Sequence, residues 1–391
     1  MRYNFDKVID RSGTSAEKVE GLKHIWGRTD LIPLWVADMD FATAPFVTDA
    51  IRKRCENEVL GYTGKPDSYY NAIINWVKQR YDLIVTKEVI NFVPGIVPGI
   101  GMAMNCFTQK GDKVMIQPPV YHPFAWVTTR KERTLVINPL RWENGMYRMD
   151  LDAFREQIKG CKLFILCNPH NPGGVVWTEA ELRAIADICY DEKVLVFSDE
   201  IHADLTLPPH THRPFATVSE KARMNSVTFM SPSKAFNMPG LSASHALIFN
   251  EDLRKRFRIY MDAGELDMGH VFAFLSVEAA YSHGTEWLDQ CLAYIQGNID
   301  FVDEFLKKHA PKIKAIRPEA SYLVWLDCRE LELSQKDLNE FFVDKAHLAL
   351  NDGEMFGKEG IGFMRLNVAS PRCIIEKAMK QLADAYQLYI K

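Results

Sequence analysis

Short apolar runs alternate with helical patterns through the middle of this chain, and this alternation constrains the fold more than any other feature. Apolar runs without polar interruption are typical of strands that are covered on both faces. Strand, helix and strand in repeated order predict an α/β fold with a mostly parallel sheet and right-handed crossovers. The predicted strands lie at 113–117, 134–137, 163–167, 194–198, 226–230 and 246–249.

Helix signals stand between and beside these runs. Residues 66–81 carry apolar or aromatic side chains at helical spacing, which predicts an amphipathic helix. Residues 178–190 begin with Thr178 and place Glu181 three positions later, the pattern of a capping box. A further helix is predicted over 96–107.

Beyond about residue 285 the pattern changes to that of a smaller α+β domain. A long helix is followed by a strand at 322–327, a helix near 334–346, a strand at 362–368 and a terminal helix from Pro371. Residues 1–30 are polar and predict an arm or a surface helix. The predicted division is an N-terminal arm with part of the small domain at 1–45, a large domain at 46–285 and a small C-terminal domain at 286–391.

Composition and charge exclude several classes of protein. With 47% hydrophobic and 25% charged residues, and only 22 Gly and 19 Pro among 391, the chain is neither disordered nor collagen-like. Its 47 basic and 51 acidic residues give a net charge of −4, which lacks the basic excess typical of nucleic-acid binding. No apolar run approaches the roughly 18 residues of a membrane span, and no secretory leader is apparent. Eight scattered cysteines without a CxxC pair favour a reducing compartment, so a cytoplasmic protein is predicted.

Polar residues follow several of the predicted strands, and ligands in open α/β sheets bind at the carboxyl ends of strands. Asn171 lies in an Asn-Pro-rich turn after one strand, Asp199 follows the next, and Lys234 stands among serines after a third. Gly95 opens the helix at 96–107, whose free amides and dipole suit a phosphate. Each residue alone has a plain structural explanation as part of a tight turn, a helix cap or an exposed loop.

Together these four features are the parts of a pyridoxal 5′-phosphate (PLP) site. A partly desolvated lysine amine has a lowered pKa and can form a Schiff base with an aldehyde. A buried carboxylate is costly unless it meets a cation, and a protonated ring nitrogen is such a cation. Their order along the chain is also the order found in fold-type I PLP enzymes.

Longer motifs carry a resemblance to a known family. The chain resembles the class I/II aminotransferase superfamily over nearly its full length. Within it the sequence is most similar to the MalY/PatB branch of carbon–sulfur β-lyases, of the cystathionine β-lyase type. The Asn-Pro and lysine motifs mark the superfamily, whereas WVADMDF, GYTG and SDEIH mark the branch. The matching segments are 33–45, 60–73, 118–124, 167–174, 198–205, 231–241 and 364–371.

The resemblance implies a fold and an activity. The fold would be that of fold-type I PLP-dependent transferases, with a mostly parallel seven-stranded sheet in the large domain and a smaller α+β domain. The activity would be an α,β-elimination of L-cystathionine or related cysteine S-conjugates to a thiol, pyruvate and ammonia.

The resemblance also implies roles for the residues around the cofactor ring. Lys234 would bind the cofactor covalently and later move the Cα proton of the substrate. Asp199 would pair with the ring nitrogen and keep it protonated. Asn171 would hydrogen-bond the ring 3′-oxygen and contact the substrate, His202 would lie near the same oxygen, and Tyr121 would stack on the ring.

Further residues are implied to bind the cofactor phosphate. The amides of Ile96 and Val97 would do so together with the hydroxyls of Ser231 and Ser233. Tyr62 would reach the same phosphate from the second subunit of a homodimer.

The remaining implied roles concern the substrate and two departures from the wider pattern. Arg365 would bind the substrate α-carboxylate through two hydrogen bonds. The segment 33–41 would line the entrance, and its Ala37 would contact the substrate. Ser242 stands where many aminotransferases have an Arg, which the lyase branch also lacks. His122 stands where some relatives have a second Tyr, on the leaving-group side of the pocket.

Three other functions stay open at this point. An aminotransferase would use the same residues and differ only in the fate of the carbanion. A PLP-holding regulatory protein would act through a protein partner, although no helix-turn-helix is visible. A metal-dependent hydrolase could use His210, His212, Glu200 and His202, but the surrounding prolines predict a surface loop there and no HExxH motif is present.

Overall fold

The computed structural model describes residues 2–389. Its strands are β1 (Ile32–Pro33), β2 (Ile90–Val93), β3 (Lys113–Ile116), β4 (Thr134–Ile137), β5 (Arg141–Glu143), β6 (Met146–Arg148), β7 (Cys161–Cys167), β8 (Leu195–Asp199), β9 (Ser226–Met230), β10 (Ser244–Leu247), β11 (Lys314–Ile316), β12 (Leu323–Asp327), β13 (Leu348–Ala349), β14 (Asn351–Asp352) and β15 (Phe363–Asn367).

Helices lie between and around these strands. They are α1 (Glu17–Trp26), α2 (Pro45–Cys55), α3 (Asp67–Tyr81), α4 (Ile96–Phe107), α5 (Pro123–Arg130), α6 (Leu151–Gln157), α7 (Glu179–Asp191), α8 (Glu220–Met224), α9 (Glu251–Asp262), α10 (Val271–His283), α11 (Thr285–His309), α12 (Gln335–Glu340) and α13 (Arg372–Tyr389). Within residues 2–389, none combines the length and the apolar character that crossing a bilayer requires.

The central sheet has seven strands in the order β2-β10-β9-β8-β7-β3-β4. The strands from β9 to β4 pair in parallel, whereas β10 runs antiparallel to both of its neighbours. The predicted α/β class and the seven-stranded, mostly parallel sheet are therefore confirmed. Because β7, β8 and β9 are adjacent and parallel, their carboxyl ends open at one edge of the sheet.

Alternate residues of β7 pack against helices on opposite faces of the sheet. Leu163 and Ile165 belong to the cluster that contains Ile100 of α4. Phe164 and Leu166 belong to the cluster that contains the buried face of α7. Successive side chains of a strand point to opposite faces, so an uninterrupted apolar run fits a strand with a helix on each side.

Several predicted elements are confirmed and two need correction. Helices α3, α4 and α7 lie where predicted, and α7 begins with the predicted capping box. The strand predicted at 246–249 lies two residues earlier, since β10 spans Ser244–Leu247. Its first two residues, Ser244 and His245, are polar and interrupt the apolar pattern on which the prediction depended. The run at 134–137 is not covered on both faces, because β4 is an edge strand whose terminal residues are exposed.

The C-terminal region forms a second sheet of four strands. Its strands are all antiparallel, in the order β11-β12-β15-β14. Separately, β1 pairs in parallel with β13, so residues 32–33 lie against 348–349. The long helix α11 begins at Thr285, but the exact division into domains stays a prediction.

A glycine where α10 meets α11 gives a test of this packing. A Cβ built at Gly284 would lie 2.2 Å from the Ala280 carbonyl oxygen and 2.4 Å from the ring of buried Phe236. We expect Gly284→Ala to lower the free energy of unfolding by about 1–3 kcal/mol, as overpacking usually does. The measurement is the midpoint of urea unfolding.

The matched control lies within α11. A Cβ at Gly297 would come no closer than 3.4 Å to any neighbour, the nearest atom being an Arg372 nitrogen. Gly297→Ala is expected to leave stability unchanged or to raise it by up to about 1 kcal/mol, because Ala favours helix more than Gly does. Equal effects of the two substitutions would contradict the packing described.

Candidate active site

A cavity of about 260 Å³ opens at the carboxyl ends of β7, β8 and β9 and at the first turn of α4. The structure brings most of the predicted site residues together in its wall. These are Ala37, Ile96, Val97, Tyr121, Asn171, Asp199, His202, Ser233 and Lys234. Tyr62, Ser231 and Arg365 are not in the wall.

Lys234 lies on the turn that follows β9 and points its amine into the protein. Its Nζ donates a hydrogen bond to the carbonyl of Ala37 at 2.5 Å. Burial lowers the pKa of the Lys234 amine to about 8, although the charges of Asp38 and Asp199 oppose the shift. About a tenth of this amine is therefore neutral at pH 7, far more than for an ordinary lysine, and the neutral form acts as a nucleophile or a base.

Asp199 is the last residue of β8 and is buried. One of its oxygens accepts a hydrogen bond from the Ile201 amide at 3.1 Å. Burial raises the pKa of Asp199 to about 7, and the neighbouring Glu200 adds to the effect. A carboxylate held in this way gains from any cation that enters the cavity.

Glu200 explains why the turn after β8 has a fixed shape. Its two oxygens accept hydrogen bonds from Ser198 Oγ and the Phe215 amide, each at 2.8 Å, and contact Nε2 of His212 at 2.8 Å. His212 is buried against Glu200, so the prediction of a surface loop was wrong for this residue, although His210 is half-exposed. The hydrogen-bond partner of the His212 ring is thus Glu200. Within residues 2–389, no group of three or more His, Cys, Asp or Glu is arranged to hold a metal.

His202 enters the cavity three residues after Asp199. Burial lowers its pKa to about 3, and the charges of Lys234 and Arg365 act in the same direction. The ring is therefore neutral, and its buried Nδ1 has no hydrogen-bond partner. A neutral imidazole suits a hydrogen bond to an oxygen of a ligand.

Arg365 lies on β15, behind the wall of the cavity, and is buried. Its Nη1 donates to Asn171 Oδ1 at 3.1 Å, and its Nη2 donates to the Trp35 carbonyl at 3.1 Å and to Asn351 Oδ1 at 2.5 Å. All three acceptors are uncharged, and the buried Nε has no partner. Burial lowers the pKa of Arg365 to about 10, so the group stays cationic at neutral pH and suits a carboxylate.

The first turn of α4 forms the opposite end of the cavity. Gly95 precedes it with φ = 110°, a conformation that favours glycine. The first amides of a helix have no partner within it, so those of Ile96 and Val97 are available to an anion. The hydroxyl of Ser233 lies in the same wall.

Ser231 supports this end of the cavity from behind. Its hydroxyl donates to the Ala243 carbonyl at 2.8 Å and accepts from the Ser233 amide at 3.1 Å. Ser242, which replaces the Arg of many aminotransferases, lines the cavity with φ = 47°. This end of the cavity therefore presents backbone amides and serine hydroxyls.

Residues 35–41, which we call the strap, cross the cavity beside Lys234. Asn237 donates to two strap carbonyls, at 3.0 and 2.7 Å, and accepts from a strap amide at 2.9 Å. Asn367 donates to two others, at 2.7 Å each. The Ala37 carbonyl is left for Lys234 and for the Tyr322 hydroxyl, which donates to it at 3.0 Å. These two asparagines were not predicted, although they lie three and two residues after Lys234 and Arg365.

Two predicted residues lie away from the cavity wall. Tyr62 is 98% exposed, in a segment without regular structure between α2 and α3, and has no part in the cavity of its own chain. His122 packs on Trp126 and Phe356, with ring centroids 4.4 and 5.7 Å apart, in a neighbouring cavity. Burial lowers the pKa of His122 to about 4, so its ring is neutral.

The buried groups fit PLP. Asp199 is a buried carboxylate that needs a cation, and the protonated ring nitrogen is one. The open amides of α4 suit a phosphate, and Lys234 offers a partly neutral amine to an aldehyde. The aromatic ring of Tyr121, which is largely buried in the cavity wall, suits stacking on a flat ring.

Comparison with known proteins agrees with the sequence motifs. Residues 29–382 match the family described as aminotransferase class I and II. The chain is 38% identical to cystathionine beta-lyase PatB of Bacillus subtilis, covering 98% of this chain and 99% of that protein. It is 30% identical to protein MalY of Escherichia coli, covering 98% of each.

A solved structure gives the same result in three dimensions. The PLP-bound C-S lyase of Staphylococcus hominis superposes with a TM-score of 0.91 at 35% identity, covering 98% of each chain. The predicted resemblance, including its MalY/PatB branch, is confirmed. This chain belongs to the aminotransferase class I and II family.

Proposed function

We propose that this protein is a PLP-dependent carbon–sulfur β-lyase that converts L-cystathionine or related cysteine S-conjugates to a thiol, pyruvate and ammonia. The observation that carries the proposal is the buried pair formed by Lys234 and Asp199 in one cavity, with pKa values of about 8 and 7. The names of PatB and of the Staphylococcus hominis lyase support elimination in preference to transamination.

Residues of the cavity would hold the cofactor. Asp199 keeps a proton on the ring nitrogen, and Asn171 and His202 hydrogen-bond the ring oxygen. Tyr121 would stack on the ring, and Lys234 would form the covalent link. When bound, the cofactor supplies an electron sink for the pair left at the substrate Cα.

The phosphate would be bound at the first turn of α4. The amides of Ile96 and Val97 and the hydroxyl of Ser233 donate to its oxygens, and the helix dipole favours its charge. Ser231 fixes the position of Ser233 through the hydrogen bonds described above.

The chain's own residues then act on the substrate. Arg365 binds the α-carboxylate, helped by the absence of any charged partner among its hydrogen-bond acceptors. Once the substrate amine has replaced Lys234 on the cofactor, the freed and neutral Lys234 amine would take the Cα proton. The Cβ–S bond breaks with its electron pair on sulfur, which leaves as a thiol after protonation. The remaining enamine is hydrolysed by one water molecule to pyruvate and ammonia.

Tyr62 would complete the site of a second subunit in a homodimer. Its side chain is fully exposed, and Val59 and Leu60 beside it are exposed as well. An aromatic and aliphatic segment of this kind is typical of an interface. On this proposal the Tyr62 hydroxyl donates to the cofactor phosphate of the partner's site.

Product release distinguishes elimination from transamination. With PLP, L-cystathionine and no added keto acid, we expect sustained pyruvate release from the purified protein, measured by a coupled lactate dehydrogenase assay. Lys234→Ala should lower the rate at least about a hundredfold, since it removes the general base. The control is Lys221→Met, which changes a partly exposed surface lysine that pairs with Asp187 and Asp191. Amino transfer that depends on an added keto acid, without pyruvate release, would instead identify an aminotransferase.

The buried carboxylate predicts a pH-dependent cost in the cofactor-free protein. The pKa of Asp199 is raised from 3.8 to about 7 in the folded state, so its ionisation weakens folding as pH rises through this window. We expect Asp199→Asn to raise the free energy of unfolding of the cofactor-free protein by up to about 4 kcal/mol at pH 8 and by much less at pH 5.

The same substitution should weaken cofactor binding, because the amide has no charge for the ring nitrogen. Urea unfolding at the two pH values and a PLP titration measure both effects. The control is Asp191→Asn, which changes an exposed carboxylate. A gain that is equal at pH 5 and pH 8 would contradict the assigned cause.

Mixed dimers test whether Tyr62 acts across an interface. Lys234→Ala and Tyr62→Ala chains are each expected to have low activity alone. When they are unfolded and refolded together, the site that combines Lys234 of one chain with Tyr62 of the other should be intact. About half of the wild-type activity is expected for each mixed dimer. A mixture no more active than its two components would show that Tyr62 acts in its own chain or not at all.

A further inference from the structure

A cluster of four charged side chains ties the N-terminal region to the strap. Lys18 of α1 is fully buried, and its Nζ contacts Asp40 Oδ2 at 2.8 Å and Asp38 Oδ1 at 3.6 Å. Arg11 contacts the same two carboxylates, at 2.6 Å for Asp38 and 3.2 Å for Asp40. The cluster therefore contains two cations and two anions, and its net charge is zero.

Lys18 also forms two hydrogen bonds that involve backbone carbonyls. Lys18 Nζ donates to the Asp38 carbonyl at 3.3 Å, and the Lys18 carbonyl accepts from Trp35 Nε1 at 3.0 Å. Both contacts fall within the strap. Between them lies Ala37, whose carbonyl accepts from Lys234. A fully buried lysine is rare, and the mechanism proposed above does not use this one.

Asp38 connects the cluster with Lys234 electrostatically. The charge of Asp38 favours the protonated Lys234 amine, as does that of Asp199, whereas burial and Arg365 disfavour it. Tyr121, Cys167 and His202 line the same cavity, and Tyr322 bonds the same Ala37 carbonyl; none of these four carries a charge at neutral pH.

We propose that Lys18 is a positioning residue for the reaction: together with Arg11 it binds Asp38 and Asp40, which holds the Ala37 carbonyl against Lys234 and neutralises the charge that Asp38 presents to it. Lys18 touches neither substrate nor cofactor and acts through the strap. The inference rests on the proposed function in one respect only, that Lys234 is the reactive amine.

The direction of the expected effect follows from the charges. Without Lys18, two carboxylates share one arginine, and the excess negative charge favours the protonated form of Lys234. Without the Asp38 carboxylate, the same amine loses a stabilising anion and deprotonates more readily. The two substitutions should therefore move the titration of Lys234 in opposite directions, which a merely structural role would not do.

The experiment measures Lys234 directly in the full-length, cofactor-free protein. Lys234 is labelled with trinitrobenzenesulfonate at a series of pH values, and the modified peptide is quantified by mass spectrometry. Lys18→Met is expected to raise the midpoint by about 0.5 pH units or more, and Asp38→Asn to lower it by a similar amount. Lys18→Arg should stay near the wild-type midpoint, and Lys221→Met is the control for loss of a surface lysine.

Each result has a definite meaning. Opposite shifts, with a double variant near the wild-type midpoint, support the proposal. Unchanged midpoints with a lower melting temperature would overturn it and leave Lys18 a structural residue. If Lys18→Met does not fold, Asp38→Asn decides, because an unchanged or raised midpoint overturns the proposal. Since this measurement needs neither PLP nor turnover, it is independent of whether the protein proves to be a lyase.

Discussion

The desolvation of three ionisable side chains around one cavity is the constraint on which the site depends. Asp199 and Arg365 are buried there and Lys234 is partly buried, and desolvation is the largest influence on the pKa of each. The parallel sheet makes this possible, because it brings the ends of neighbouring strands together and surrounds them with apolar clusters. Arg365 meets only neutral oxygens, so its full charge remains available to a carboxylate.

Much of the fold and the cavity could be predicted because the signals are local. The uninterrupted apolar run of β7 and the capping box of α7 each depend on neighbours in the sequence. The carboxyl-end rule for open sheets then places Asn171, Asp199 and Lys234 at one edge. The roles of Tyr121 and Arg365, in contrast, came from the resemblance to a family, because neither residue carries a recognisable local pattern.

The features that could not be predicted depend on contacts between distant parts of the chain. Asn237 and Asn367 look like ordinary loop and strand residues, yet together they hold four carbonyls of the strap. His212 seemed to lie in a surface loop, because the prolines around it do not reveal the buried carboxylate of Glu200 that receives it. No sequence pattern indicated that Lys18 is buried, because its burial depends on contacts with Asp38 and Asp40, twenty or more residues away in the chain.

The pairing of β1 with β13 sets the order in which the cavity can be assembled during synthesis. Residues 32–33 leave the ribosome early, but their partners at 348–349 and the strap-binding Asn367 are among the last to emerge. The sheet of the central region can form while the chain is still being made, since domains generally fold as units. Asn237 can hold strap groups once the central region has folded, but the contacts of Asn367 and the pairing of β1 form only after residues 348–367 have been made. Until then the carbonyls of Val36 and Asp38, on either side of the one that faces Lys234, lack their Asn367 contacts, so the strap is fully held only when both asparagines are present.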